Sequence, residues 1–283
     1  MNRFISFSVV LFIGALLCAD SHGQEESEKI EFRVGKITDK QYYFEDAKQK
    51  IPYSVYIPKS YNPKKKTPLV VALHGWGSHA SQIIRYQNFV PHAEKHGYII
   101  FSAQGLNRTG WYGSRGPGGG FFGPRNLGKM SEQDVLNVLK IAEDNLNIDP
   151  DRIYLLGHSM GGAGTLHLGM KYPDKWAALA PIAPAIPYTG WMIERMKDIP
   201  TIIIHGTNDT VLPVQATRDW VDKMKSYKMD VKYIEEEGGD HVAIAFKYFD
   251  QIFKWFDEHK KPRKKYAREL GGHWLYVHFP LCG

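Results

Sequence analysis

The stretch whose residue types and spacing most clearly allow chemistry is Gly157-His158-Ser159-Met160-Gly161-Gly162. The apolar run Arg152-Ile153-Tyr154-Leu155-Leu156 leads into it, and helix formers from Ala163 to Tyr172 follow, so it reads as strand, sharp turn and helix. Glycines two residues either side of Ser159 let backbone and helix crowd together where a Cβ would clash, which puts the serine hydroxyl on an exposed elbow. A glycine-rich turn in which serine merely caps the helix explains the spacing less completely than this context does. A serine hydroxyl is a weak nucleophile until a base takes its proton, and the base needs a carboxylate to fix its tautomer. In this class of strand–elbow–helix fold these groups follow in the order serine, acid, histidine. Asp209, at the end of Ile204-His205-Gly206-Thr207-Asn208-Asp209, is the only acid in a loop leaving a predicted strand. His241 ends Gly238-Gly239-Asp240-His241, just before the predicted closing helix. We therefore expect Ser159 as nucleophile, His241 as general base and Asp209 as orienting acid, with Asp240 the second choice of acid.

The remaining histidines of the core have simpler explanations. His74 and His205 sit in His-Gly pairs at strand ends and are expected to be buried hydrogen-bonding groups, while His158 is expected to point away from the nucleophile. Attack on a carbonyl develops charge on oxygen, which needs preorganised donors. The backbone N–H of Met160 is aimed correctly by the start of the helix. The second donor is expected from His74-Gly75-Trp76-Gly77, with the Trp76 N–H preferred over that of Gly77. The Trp76 side chain is a further candidate for the acyl pocket, against the alternative that it only packs.

These groups need a scaffold that brings strand ends to one edge. Pro68-Leu69-Val70-Val71-Ala72-Leu73 is a continuous apolar run of the kind buried on both faces of a parallel sheet. Further strands are predicted at Tyr98 to Phe101, Trp176 to Ile182, Thr201 to Ile204 and Val231 to Ile234. Helices are predicted around Tyr86 to Lys95, from Ser131 (with Asp134 nearby) to Asn145, from Val214 to Tyr227, and from Ala243 to His259. Ile30 to Val34, Gln41 to Phe44 and Tyr53 to Ile57 read as antiparallel strands opening the sheet, with a solvated lysine turn at Asn62 to Lys66. Strands alternating with helices at this spacing specify an α/β fold, a mostly parallel sheet covered on both faces. The loop from Gly105 to Gly128 is long and carries Trp111, Tyr112, Phe121 and Phe122. Loops of this length are commonly functional, so these four aromatics are candidates for a substrate wall, weighed equally with a loop pinned to the surface by its aromatics.

The chain has 283 residues and 43% apolar content, enough for one large core. Residues 1–23 read as a secretory signal: Arg3 is the positive n-region, Phe4 to Ala19 is apolar but short for a membrane span, and Ser21 and Gly23 precede the expected cut. Residues 24–259 then form the catalytic domain and residues 260–283 a basic tail. That tail carries a net +5 of the formal +6, so the basic balance belongs to it and gives no nucleic-acid-binding face. The two cysteines, Cys18 and Cys282, lack zinc or redox spacing, and signal removal leaves Cys282 alone. No metal or stable membrane span is expected after cleavage. The localisation expected is secreted or periplasmic.

With the elbow, the His74-Gly75-Trp76-Gly77 loop, Asp209 and His241 in this order, the chain resembles the α/β-hydrolase superfamily. From about Ile51 to His259, including Asp149-Pro150-Asp151-Arg152-Ile153-Tyr154, it is similar to secreted esterases grouped with polyhydroxybutyrate depolymerases and feruloyl or acetylxylan esterases. The resemblance implies an acyl-serine intermediate, no cofactor, and an ester substrate of the plant-polysaccharide-linked or polyester kind. The Gly105 to Gly128 loop and the tail lie outside that pattern. Prolyl oligopeptidase-like peptidases share the motifs but usually place a propeller domain first, for which this chain has too few residues. A non-catalytic binding protein on the same fold typically lacks a triad member, and all three are available here. A haloalkane-type hydrolase needs aspartate at the elbow, which Ser159 excludes.

Overall fold

A computed structural model of the chain describes residues 31–118, 125–187 and 190–262. The signal-peptide reading, Phe121, Phe122, both cysteines and most of the basic tail lie outside these residues. Eight strands form one sheet: β1 (Ile37–Phe44), β2 (Gln49–Tyr56), β3 (Thr67–Leu73), β4 (Ile99–Ala103), β5 (Ile148–His158), β6 (Ala178–Ile182), β7 (Thr201–Gly206) and β8 (Val231–Glu236). Their order is β1-β2-β4-β3-β5-β6-β7-β8. β1–β2 and β2–β4 pair antiparallel, and every pair from β4 to β8 is parallel. This is the α/β-hydrolase arrangement. The helices are α1 (Ala80–Ile83), α2 (Phe89–His96), α3 (Leu127–Asn145), α4 (Met160–Lys171), α5 (Val214–Ser226), α6 (Ile244–Lys247) and α7 (Phe249–Glu258). None of the described helices is long and apolar enough to cross a membrane.

Alternation along the central strands divides the core in two. Leu69, Val71, Leu73, Ile153 and Leu155 face one layer with Val135, Leu139, Leu166 and Met224 of α3, α4 and α5. Val70, Ala72, Tyr154 and Leu156 face the other with Ile83, Phe89, Ile252 and Phe256 of α1, α2 and α7. All seven residues of β3 are buried, the signature of a strand covered on both faces. The chain runs from β3 to β4 on one side, then crosses back through α3 to β5 on the other side of β3. That reversal is a topological switch point at the C-terminal ends of β3 and β5, the position at which ligands bind in open α/β sheets.

Several elements differ from expectation for identifiable reasons. Ser131 and Asp134 do not open α3. They are buried inside it, with Ser131 Oγ accepting the Tyr112 amide (2.9 Å) and Asp134 accepting the Gly105 and Leu106 amides (2.6 and 3.3 Å) and the Tyr42 hydroxyl (2.5 Å). Cap-type side chains here anchor a distant loop instead of their own helix end. The closing helix is two helices, α6 and α7, parted at Tyr248 (φ −108°, ψ 12°). In the N-terminal segment, only a single bridge from Val34 to Ile57 stands where a strand ending at Val34 was expected.

Candidate active site

Ser159 stands between β5 and α4 with φ 58° and ψ −116°, a backbone conformation that is costly for any residue with a Cβ. The glycines enforce it. A Cβ on Gly157 would lie 2.2 Å from the Gly161 carbonyl oxygen, and one on Gly161 would lie 2.0 Å from that of Leu73, so strand, elbow and helix touch through bare backbone. Ser159 N–H donates to Ile182 O (2.9 Å) and its carbonyl accepts from Ala163 and Ala185 (3.1 and 3.2 Å). The elbow is thereby tied to α4 and to the end of β6.

The three residues singled out from sequence meet here. Ser159 Oγ is 2.9 Å from His241 Nε2, and His241 Nδ1 is 2.6 Å from Asp209 Oδ2. Since a carboxylate can only accept, His241 carries its proton on Nδ1, and Nε2 presents a lone pair to the Ser159 hydroxyl. The loops after β7 and β8 that carry Asp209 and His241 are pressed together: a Cβ on Gly206 would lie 2.1 Å from Gly239 O. The Asn208 amide adds a bond to the Gly239 carbonyl at 3.0 Å.

The Asp209 side chain is fully buried and saturated by donors. Oδ1 accepts the Val211 and Leu212 amides (2.9 and 2.8 Å), while Oδ2 accepts His241 and His205 Nε2 (3.0 Å). Burial works to raise this carboxyl, but the Leu212 amide, the His241 ring and the Val211 amide outweigh it and hold it below the usual aspartate value. His205 is itself seated by Thr217 Oγ1 on Nδ1 (2.8 Å) and is kept neutral by burial. Asp240, the second-choice acid, instead accepts the Val242 and Ala243 amides (2.8 and 2.7 Å) from the turn after His241.

Two supports were only partly legible. His158 does turn from the Ser159 hydroxyl, but it takes a specific seat: Nε2 donates to the His241 carbonyl (2.8 Å) and Nδ1 accepts from the Tyr86 hydroxyl (3.1 Å). Burial pushes its pKa down to about 4, so the ring is neutral. His205 was expected as a buried hydrogen-bonder, without the link to Asp209; its position four residues before Asp209 at a strand end was the available signal. His74 is fully buried with Gly75 O and Gln104 O each 2.8 Å from its ring, and burial lowers its pKa, so a neutral ring donates to one of the two.

The His74-to-Gly77 loop stands over the elbow, where a Cβ on Gly75 would be 3.5 Å from Ser159 Cβ. The Gly77 N–H is committed to Arg108 O (2.9 Å); Met160 is the first residue of α4. The Trp76 side chain is 66% exposed, so it does not serve as core packing. Tyr112 corrects the sequence expectation. Its ring is fully buried and its hydroxyl bonds His74 O (3.2 Å), because the anchors on α3 draw the loop inward; it cannot line a substrate wall. Trp111 is half-buried against the core with the Arg115 guanidinium carbon 3.4 Å from its ring centre.

Comparison with known proteins adds independent findings. Residues 45–234 match the family described as "Putative esterase". The bifunctional acetylxylan esterase/xylanase XynS20E of Neocallimastix patriciarum is 29% identical over 179 residues, 62% of this chain and 23% of that protein. Cutinase 1 of Thermobifida cellulosilytica is 34% identical over 100 residues, 34% of this chain and 35% of the cutinase. The chain thus spans well under half the length of these curated relatives. A solved thermostable esterase is 27% identical with a TM-score of 0.63, over 80% of this chain and 63% of that one.

Proposed function

The chain belongs to this esterase family, and from that premise we propose that it hydrolyses carboxylic esters through an acyl-serine intermediate. The observation that carries the reading is the unbroken relay Ser159 Oγ–His241 Nε2 (2.9 Å) and His241 Nδ1–Asp209 Oδ2 (2.6 Å), set on a strained elbow. In the first step Oγ attacks the ester carbonyl while His241 Nε2 takes the hydroxyl proton. Asp209 holds the ring in the tautomer that can accept it and stabilises the imidazolium that forms. The N–H groups of Met160 and Trp76 receive the oxyanion. His241 returns the proton to the departing alkoxide, leaving an acyl group on Ser159. Water, deprotonated by His241, attacks that acyl carbonyl, and collapse of the second tetrahedral species releases the acid and restores the serine. No cofactor enters any step.

For the substrate we favour esters displayed on a polymer, such as acylated plant polysaccharide or polyester. Support comes from exposed apolar side chains on the loops around the triad: Trp76 on the loop over the elbow, Val211 two residues past Asp209, and Val242 next to His241. The names of the two curated relatives, an acetylxylan esterase/xylanase and a cutinase, point the same way. Export directed by residues 1–23 completes the reading, with 24–259 as the catalytic part. The test is a burst assay of the purified mature chain on p-nitrophenyl acetate, butyrate and octanoate, beside methyl ferulate and a proline-linked anilide, repeated with Ser159→Ala. Ester turnover lost in the variant is the expected result. Turnover retained by Ser159→Ala overturns the acyl-serine mechanism, and anilide turnover exceeding ester turnover makes the protein a peptidase.

A further inference from the structure

On the layer of α2 and α7, three metal-ligating side chains converge without any member of the triad. His92 and His96 are one turn apart on α2 and share a face. Asp250 comes from the first turn of α7, which packs on α2 through Phe89 and Phe249, stacked with ring centres 4.7 Å apart. One nitrogen of each imidazole and one oxygen of Asp250 all lie within 4.8 Å of one another.

Two ring nitrogens at this place, His92 Nδ1 and His96 Nε2, are buried and have no hydrogen-bond partner. Buried polar atoms in folded proteins nearly always have one, and an orphan calls for an explanation such as a bound ion. The ion-pair partner of His92 Nδ1, Asp250 Oδ1, is 3.6 Å away, too far for a hydrogen bond. The His96 ring is nine-tenths buried and its other nitrogen, Nδ1, lies 2.6 Å from Asp257 Oδ2. That carboxylate fixes the proton on Nδ1 and leaves Nε2 as a bare lone pair, the carboxylate–histidine arrangement that orients metal-bound imidazoles. The Tyr98 hydroxyl donates to the second oxygen of Asp257 (2.8 Å), so the orienting group is itself held. Phe253 stacks on the His96 ring (5.6 Å between centres) and gives the site an apolar floor.

We propose that His92, His96 and Asp250 form a binding site for a divalent transition-metal ion of the zinc class, clasping α2 to α7. Two imidazoles with one carboxylate suit zinc and its neighbours, whereas magnesium and calcium prefer all-oxygen sets. Three protein ligands leave a coordination position for water. Lys95 and Lys254 now hold Asp250, at 3.1 and 2.5 Å. Both side chains are mostly exposed (62% and 60%), so either can swing to solvent as a dication takes its place. The cysteine count gave no hint of this site, because its ligands meet only when the last helix packs on α2.

The test is calorimetric titration of zinc chloride into the chelator-treated full chain, with thermal melting of each protein in parallel. The expected result is one zinc per chain, a higher melting temperature with zinc, and affinity reduced at least about tenfold by His92→Gln or Asp250→Asn. Asp257→Asn, which touches no metal, is expected to weaken binding by about 10–100-fold through loss of His96 orientation. Equal affinity in His92→Gln and Asp250→Asn would assign the zinc to other histidines and overturn the proposal, as would a stoichiometry below one. Should a variant melt abnormally without metal, the decision passes to cobalt(II) on the unmodified chain. Visible ligand-field bands displaced by one equivalent of zinc support the site, and their absence overturns it.

Discussion

The elbow makes a prediction about stability that is separable from catalysis. Ser159 holds φ 58° and ψ −116°, a conformation that costs a residue with a Cβ about 1–3 kcal/mol. Ser159→Ala removes the hydroxyl and its hydrogen bond to His241, worth about 1 kcal/mol, but keeps the Cβ and hence the strain. Ser159→Gly removes the strain as well, and gives back about 0.5–1 kcal/mol by loosening the unfolded chain. The difference predicts a glycine variant more stable than the alanine variant by about 0–2.5 kcal/mol, or up to roughly 5–10 °C in melting temperature for a domain of this size. Both variants are expected to lose hydrolysis by a factor on the order of 10⁶. The assay is thermal and urea unfolding of the two variants side by side, with p-nitrophenyl ester turnover as the activity readout. Gly161→Ala is the control in the opposite direction, since its Cβ would stand 2.0 Å from Leu73 O and no flexible side chain is there to yield. If Ser159→Gly is less stable than Ser159→Ala, the elbow stores no appreciable strain and the steric account of its geometry is wrong.

Two further outcomes follow from the groups around the triad. Asp209→Asn should lower kcat by about 10⁴-fold, because an amide no longer fixes the productive His241 tautomer, whereas Asp240→Asn should leave kcat nearly unchanged; comparable losses in both would mean that Asp209 is not the orienting group. His158 is held near pKa 4 by burial, below its unfolded value of about 6.5. The unfolded chain therefore binds the extra proton first, and the native state loses stability as pH falls from 6.5 to 4, by on the order of 3 kcal/mol in full. Urea midpoints at pH 7 and 4.5 should show this loss in the unmodified protein and a smaller one in His158→Gln; parallel losses would assign the acid lability elsewhere.

What was legible in the sequence was what local patterning encodes. The apolar runs Leu69 to Leu73 and Leu155 to Leu156 read as central strands because a strand covered on both faces needs no polar alternation. Ser159, Asp209 and His241 were legible because each stands at the end of a strand run beside glycines whose bare backbone the loops require. The edge strand β1 extends back to Ile37 through Thr38, Asp39 and Lys40, too polar to read as a strand without its partner. Tyr112 was misread because its burial depends on Ser131 and Asp134, whose short polar side chains look like helix caps and act as anchors for a loop some twenty to thirty residues earlier. The seat of His158 was hidden for the same reason, since its partner His241 O comes from another turn of the sheet edge, whereas the link from His205 to Asp209 spans only four residues of one loop.

The three members of the relay are positioned by different physics, and this decides how each can fail. Ser159 is fixed by steric closure, strand against helix through bare glycine backbone, and steric closure does not titrate or respond to salt. His241 and Asp209 are fixed by hydrogen bonds, and two of the donors are the buried imidazoles of His158 and His205. Burial holds both of those rings neutral, and a neutral ring can give one proton and take one, which is what each does: His158 takes from Tyr86 and gives to His241 O, while His205 takes from Thr217 and gives to Asp209 and Leu212. A second proton on either ring would remove an acceptor from its hydroxyl partner and place charge beside the relay. Acid should thus disturb the seat of the base before it disturbs the nucleophile, leaving Ser159 on an intact elbow but without an aligned partner to take its proton.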